Sequence, residues 1–321
     1  MRERPRSSLL IASPHRYPDL ARFWYRAVRR DLIPALAAAG FAVTVRIFRD
    51  GHVAEFAPGD FPGAVLAAPG PGARDFVEFY DAALAASGDF LFLLDADVFF
   101  VDGGWPLSYL PAFDRPEVAA VSFLRRAALP GVYALLCRAS AYRALPAPVF
   151  AAAYEGLAHW PRSLNRNPGE LAALALRAAG REIVEAADPA QHLADFHGTT
   201  VLRAAREVFA GLIGERRFEA LVGERRYFAM GAYDNLLLGT LYSAVLGEPF
   251  AAVSGEALAG SLSAAGLARA LAQVVDAERR AVLLDYFRRS DRAIALLAAR
   301  EGVELALPRV IPESWQGSGV T

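Results

Sequence analysis

The feature that most restricts this chain is the run Phe90-Leu-Phe-Leu-Leu-Asp95-Ala96-Asp97-Val-Phe-Phe100. An unbroken apolar stretch with no alternation suits a strand buried on both faces. Such strands sit in the middle of parallel sheets covered by helices. Two carboxylates then follow at i and i+2. In extended backbone these side chains share a face, so both reach one point at the strand's carboxyl end, the edge where open α/β sheets bind ligands. Two acids this close repel each other unless a cation is present. A hard divalent ion such as Mg²⁺ or Mn²⁺, completed by phosphate oxygens, suits that donor set. The plainer reading is a pair of aspartates capping the next turn.

The surrounding pattern agrees with an α/β fold. Residues 8–12 read as a buried strand ending at Ser13-Pro14-His15, and Asp19 is placed to cap a helix that runs to about residue 39 and stops at Gly40. Residues 41–48 alternate and are β-branched, giving a second strand and a right-handed β-α-β crossover. Residues 56–72 are rich in Pro and Gly and read as loop, and 73–86 as helix. Further strands are expected at 118–123, 132–137, 183–185 and 199–202, and helices at 170–179, 203–213 and 233–246. Residues 141–155 look helical but are interrupted by proline. After Pro249 come two amphipathic helices, 256–273 and 276–299, and a Gly, Ser and Pro-rich tail. The expected division is residues 1–250 as one α/β domain and 251–321 as a helical extension.

Composition excludes several chemistries. The 34 basic residues other than His balance 35 acidic ones, and all of them are arginine. The net charge of −1 argues against nucleic acid as a partner. Without lysine there is no Schiff base and no P-loop, so a phosphate clamp must use Arg, backbone N–H groups or a metal. Cys137 is the only cysteine, which rules out a disulfide within the chain and fits a reducing, cytoplasmic setting. The apolar run at residues 9–12 is too short for a signal peptide, and no stretch is long enough to span a bilayer. Apolar helix faces leave a homodimer open.

The segment from Arg74-Asp-Phe through Gly88-Asp89-Phe-Leu-Phe-Leu-Leu-Asp95-Ala-Asp97 resembles glycosyltransferase family 2, whose members have the GT-A fold. The likeness runs from about Leu9 to Gly247 and is specific around the Asp-Ala-Asp motif. It implies a Rossmann-like, mostly parallel central sheet flanked by helices, and a nucleotide-sugar donor, with UDP-hexose the expected one. Pro14 with His15, Asp50 and Arg74 match the positions that grip the nucleoside. Asp95 matches the residue that touches the ribose or a metal-bound water, and Asp97 the ligand of a Mn²⁺ or Mg²⁺ on the diphosphate. Phe196-His197-Gly198 through Arg203 and Arg206 resembles the wall of the donor pocket. There Gly198 permits close approach of a ligand. His197 is either a third metal ligand, a donor-sugar contact or an ordinary half-buried histidine; His192 and His159 are weaker candidates.

Met230-Gly-Ala-Tyr233-Asp234-Asn235 resembles the family's acidic motif, in which a carboxylate removes the acceptor hydroxyl's proton. Asp234 is thus read as base, acceptor anchor or helix cap. The family usually has two adjacent acids, and the single one here leaves inversion and retention both open. Trp105, Trp160 and Trp315 are candidate sugar platforms. The implied acceptor is soluble, such as a small natural product or glycan. Three alternatives stand beside this reading. A haloacid-dehalogenase phosphotransferase lacks support, because Phe99 stands where a Thr belongs and there is no lysine. A sugar-phosphate nucleotidyltransferase should open with a Gly-rich loop unlike Ser13-Pro-His-Arg. A degenerate, non-catalytic nucleotide- or glycan-binding relative remains open.

Overall fold

The computed structural model describes residues 7–49, 56–67, 78–124, 129–150, 169–196, 226–248, 250 and 263–316. The chain divides into two compact units, Met1–His192 and Leu193–Thr321.

The first unit contains strands β1 (Ser7–His15), β2 (Phe41–Arg49), β3 (Ala64–Ala67), β4 (Phe90–Leu94), β5 (Val98–Phe100), β6 (Val118–Ser122), β7 (Ala134–Arg138) and β8 (Glu182–Glu185). All but β5 form one sheet in the order β3-β2-β1-β4-β7-β6-β8. β7 runs antiparallel to both of its neighbours; the other pairings are parallel. This is the mostly parallel, helix-flanked sheet that the GT-A resemblance implies.

Helix α1 (Pro18–Ala27) passes through a π-helical turn, Val28–Leu32, into α2 (Ile33–Ala38). Pro34 has no N–H to give and crowds the carbonyl four residues back; the wider turn ahead of it absorbs that conflict. The helix opens on Pro18 rather than on Asp19, which lies in the first turn and favours the dipole from there. Gly40 ends it at φ +94°. On one face of the sheet, α3 (Glu78–Ala86), α4 (Ala139–Arg143) and α5 (Glu170–Ala178) bury Phe79, Leu84, Tyr142 and Leu176 against Leu10, Leu91, Leu93 and Leu135. The alternate residues Leu9, Ile11 and Phe92 are equally buried on the other face. There the Phe92 ring meets Phe100 at 5.7 Å and Phe123 at 5.5 Å. Cover on both faces is what the unbroken apolar run requires.

The pairing of β1 with β4 is fixed at its amino end. The Asp89 carboxylate accepts from the Ser8 N–H and the Ser8 hydroxyl, both at 2.8 Å, while the Asp89 N–H donates to Ser8 Oγ at 2.9 Å. Gly88 makes room for this. A Cβ there would stand 1.9 Å from Ser8 Oγ and 2.7 Å from Ser8 Cβ.

Two expectations change. The 56–72 loop contains β3, which extends the ladder by pairing Val45–Phe48 of β2 with Ala64–Ala67; its small residues among Pro and Gly hid it. The helix expected at 141–155 ends at Arg143, and residues 151–168 lie outside the described residues. The strand expected at 199–202 and the helix at 203–213 also lie outside them.

The second unit has a short strand β9 (Leu193–Asp195) and helices α6 (Arg226–Leu246), α7 (Ala264–Ala272) and α8 (Ala277–Glu301). α8 matches its expected span. Asp276 caps it by accepting from the Arg279 N–H at 2.7 Å, and Gly302 ends it at φ +68°. α6 is longer than expected and buried on every side between Ala229 and Asn235, so it is a core helix. Tyr233 and Phe287 join α6 to α8 with ring centroids 4.2 Å apart. No helix among the described residues is long and apolar enough to cross a membrane.

The Ser8–Asp89 clasp is open to test by urea unfolding. Gly88→Ala should cost about 1–3 kcal/mol, because a Cβ here meets the root of a neighbouring side chain rather than a flexible tip. The hydrogen bonds from Ser8 hold the Asp89 carboxyl below its ordinary value. Its contribution is therefore present above the usual carboxylate range and lost as pH falls through the depressed folded value. Asp89→Asn should lower stability at pH 7, and its deficit relative to the wild type should shrink on acidification below pH ~4.

Candidate active site

In this sheet the chain moves outward from β1 to β2 and β3, then returns through α3 to β4 on β1's other side. The strand order reverses between β1 and β4. Ligands of open α/β sheets bind in the crevice outside the carboxyl ends at such a switch point. The register pairs Ala12 with Leu93, so two residues on, Pro14 stands level with Asp95. On the other side of β1, His15 pairs with Arg49. Residues 14, 15 and 95 thus lie at the carboxyl ends of the adjacent strands β1 and β4, near the centre of one sheet edge.

Asp95 and Asp97 do not continue β4 in extended form. The Asp95 N–H donates to the Tyr133 carbonyl at 2.8 Å, adding one rung to the β4–β7 ladder. The Val98 N–H then donates to the Asp95 carbonyl at 3.2 Å, closing a turn. The i and i+2 acids therefore belong to one tight turn, not to the strand pleat that the sequence suggested. Chain reversal into β5 is the reason. Both aspartates are buried, Asp95 at 8% exposure and Asp97 at 6%. Asp95 Oδ1 accepts from the Tyr80 hydroxyl at 2.9 Å. Tyr80 lies on α3, buried, with its ring 5.9 Å from Phe150, so one carboxylate oxygen is held by a fixed donor. Among the described residues no group of three or more His, Cys, Asp or Glu is placed to hold a metal.

His15 is wholly buried beside the Trp24 ring, at 4.9 Å between centroids. Among the described residues neither of its ring nitrogens has a hydrogen-bond partner, and the same holds for Ser13 Oγ and Trp24 Nε1. Burial pushes the imidazole down to about 3, so it is neutral near pH 7, with one donor and one acceptor to offer. Cys137 is also fully buried, and burial pushes its thiol up, so no thiolate nucleophile is available there.

In the second unit, Asp234 lies inside α6, in its third turn, and not at a helix start. The cap reading is thereby corrected: the helical pattern extends upstream to Arg226, across residues whose mixed polarity had obscured it. Asp234 is fully buried. Its Oδ1 accepts from Ser290 Oγ at 2.9 Å, and its Oδ2 accepts from the Tyr286 hydroxyl. Next to it, the Tyr233 hydroxyl donates to Asp291. Three acid–hydroxyl hydrogen bonds thus cross between α6 and α8, two donated from α8 and one from α6. A buried carboxylate demands such partners, and deleting one leaves a group unsatisfied at a cost of about 1–3 kcal/mol. Burial raises the Tyr233 and Tyr286 hydroxyls and the Asp291 carboxyl above their ordinary values.

Asp50, Arg74, His197 and Gly198 lie outside the described residues, as do Trp160 and His159. Trp105 and Trp315 are buried. Trp105 packs flat against His192, with centroids 4.8 Å apart, and His192 Nδ1 lies 3.6 Å from Asp102. These are packing roles, not open sugar platforms. A groove of about 490 Å³ at the amino edge of the sheet, away from Asp95, is lined by Asp114, Arg138, Ser140 and Arg181. Its arginines are engaged with the Val118 and Pro116 carbonyls. Sequence reasoning missed Tyr80, Tyr286 and Ser290. Nothing in the pattern singles out Tyr80. Tyr286 and Ser290 leave a trace, since they interrupt the apolar stripe Leu283, Phe287, Ile294 and Leu297 at i, i+4 spacing.

No family model matches the sequence, and no curated protein matches it. Several solved structures match part or most of the chain at low similarity. The mannosyltransferase PcManGT from Pyrobaculum calidifontis, in complex with GDP-Man and Mn²⁺, has a TM-score of 0.44 at 13% identity, covering 92% of this chain and 86% of that one. TarS 1-349 from S. aureus has a TM-score of 0.40 at 11% identity, covering 93% of each chain. The 2-C-methyl-D-erythritol 4-phosphate cytidylyltransferase from Thermus thermophilus has a TM-score of 0.30 at 15% identity, covering 56% of this chain and 88% of that one. At these scores the functional reading rests on this chain's own residues.

The buried imidazole has a measurable signature. Between its folded value of about 3 and the ordinary ~6.5, the unfolded chain binds a proton that the folded chain does not. Stability should therefore be fully present above pH ~6.5 and fall below it, with His15 contributing up to about 1.4 kcal/mol per pH unit. In chemical-denaturation curves from pH 7.5 to 4.5, His15→Asn should lack this component of the slope.

Proposed function

We propose that this chain is a glycosyltransferase that moves the sugar of a nucleotide-sugar, a UDP-hexose, to a hydroxyl of a soluble acceptor such as a small natural product or glycan. The observation that carries the reading is the placement of Asp95 and Asp97. Two buried carboxylates share one turn at the end of the central strand, level with Pro14, at the switch point of a mostly parallel sheet. Carboxylate oxygen is the donor type that Mn²⁺ and Mg²⁺ accept.

In this reading Asp95 and Asp97 hold the ion against the donor diphosphate, and Tyr80 keeps Asp95 in one orientation through its hydroxyl. The ion, when bound, supplies positive charge that offsets the charge building on the leaving nucleoside diphosphate. Pro14, His15, Asp50 and Arg74 line the nucleoside side, Gly198 lets the backbone approach the donor, and His197 completes the metal shell. The roles of Pro14, His15, Asp50, Arg74, His197, Gly198 and Asp234 follow from the family resemblance, not from contacts. Asp234 takes the proton of the acceptor hydroxyl. The acceptor oxygen then bonds to the anomeric carbon as the bond from that carbon to the phosphate oxygen breaks, and the nucleoside diphosphate departs with the electron pair. Positioning and fixed charge supply most of the acceleration.

A second reading is a protein that binds a nucleotide or glycan without transferring it. Full burial of Asp234, with both oxygens accepting hydrogen bonds, favours it. Release of free sugar or nucleoside diphosphate from donor with Mn²⁺ separates the two readings.

A thermal-shift screen of nucleoside diphosphates with and without Mn²⁺ tests the donor site. One nucleotide should raise Tm only when metal is present, by several degrees at 100 times its Kd, the equivalent of about 2.7 kcal/mol. Asp97→Asn should abolish that rise. No stabilisation by any nucleotide at any metal concentration would refute the donor site.

A further inference from the structure

We infer that Tyr286 and Ser290 of α8 are positioning residues for Asp234, so that the C-terminal helix is part of the catalytic apparatus and not an appendage. This rests on the reading of Asp234 as the base. The two residues are one helical turn apart on the same face of α8, and each takes a different oxygen of the one carboxylate: Ser290 Oγ holds Oδ1 at 2.9 Å and the Tyr286 hydroxyl holds Oδ2. Two donors on two oxygens fix the carboxylate's rotation as well as its place. A core helix joint does not need this. Tyr233 and Phe287 already pack α6 against α8, and apolar residues of similar volume serve such a joint at least as well as buried polar ones.

The chemistry follows from the direction of the hydrogen bonds. Both hydroxyls donate to the ionised form of Asp234 and therefore favour it. Burial keeps the Tyr286 hydroxyl protonated, and the charges of Asp234 and Asp195 act in the same sense, so Tyr286 stays a donor wherever the protein is folded. Among the described residues, ionisable groups near Asp234 include its neighbour Tyr233 on α6, Asp291 on α8, and Asp195 on β9, which acts on Tyr286. Of these, Asp291 is held above its ordinary range by burial and needs its own control. Removing a donor should raise the pKa of Asp234 and loosen its aim. The first effect moves the acid limb of the rate profile to higher pH, and the second lowers kcat.

The test measures kcat and KM against pH, with the nucleotide-sugar whose diphosphate stabilises the protein, for the wild type, Tyr286→Phe, Ser290→Ala, Asp291→Asn and Asp234→Asn. Tyr286→Phe and Ser290→Ala should each lower kcat about tenfold while KM for the donor changes by less than about twofold, since positioning acts on the chemical step. Each should also move the acid limb upward by about one pH unit. Asp291→Asn should leave the limb in place, and a limb that moves with it instead assigns the titration to Asp291 and overturns the inference. A purely structural role lowers Tm and leaves the limb where it was. An unshifted limb with wild-type kcat in both variants, while Asp234→Asn is inactive, overturns the inference and leaves the base assignment standing. Full activity in Asp234→Asn, or no turnover by the wild type, overturns both. Should Tyr286→Phe fail to fold, Ser290→Ala alone decides, because it removes one hydroxyl and keeps the ring packing.

Discussion

The parallel pairing of β1 with β4 is the constraint on which the rest of the candidate site depends. It is set far from the chemistry, at the amino ends, where Ser8 and Asp89 exchange three hydrogen bonds in space that only Gly88 leaves open. From that clasp the register runs along both strands as far as Ala12 and Leu93, so that Pro14 and Asp95 follow at the same sheet edge. A slip of one residue would turn every side chain of β4 to the opposite face. It would also carry the Asp95 turn away from the end of β1. The Gly-Asp pair before the strand therefore has a mechanical role, and the acids after the strand depend on it.

Three acids, two buried and one half-buried, are held in related ways. Asp95 accepts from Tyr80, Asp234 from Tyr286 and Ser290, and Asp291 from Tyr233. In each case a hydroxyl donates to the carboxylate, and a hydroxyl satisfies an acid without neutralising its charge. A carboxylate held in this way is fixed in place, and the Asp95 turn and the α6–α8 joint are proposed to present such groups to a cation and to a proton. The chain has no lysine, so arginine is its only strong permanent cation.

The sheet was largely legible from the sequence because its signals are local. Phe90–Leu94 is apolar on both sides, residues 41–48 alternate, and Asp276 and Gly302 bracket α8 as cap and stop. Edge strand β3 was not, since Ala-Val-Leu-Ala among Pro and Gly has no period to detect and forms because β2 offers it a ladder. The acids were legible as residues but not as geometry. An i, i+2 spacing fits a strand and a turn equally, and only the reversal into β5 decides between them. Asp234 looked like a cap because Asp is common there, yet tertiary burial of α6 overrides that preference. Tyr80 reaches Asp95 across fifteen residues of sequence, a contact that no local pattern encodes.

The most direct test of the central claim is Mn²⁺ binding followed by electron paramagnetic resonance, with and without a nucleoside diphosphate. If Asp95 and Asp97 hold a cation for a pyrophosphate, the free-Mn²⁺ signal should fall when protein is added and fall further with nucleotide. Both losses should disappear in Asp95→Asn and Asp97→Asn proteins that remain folded. An ion that binds equally well without those two carboxylates, or that ignores the nucleotide, would contradict the assignment.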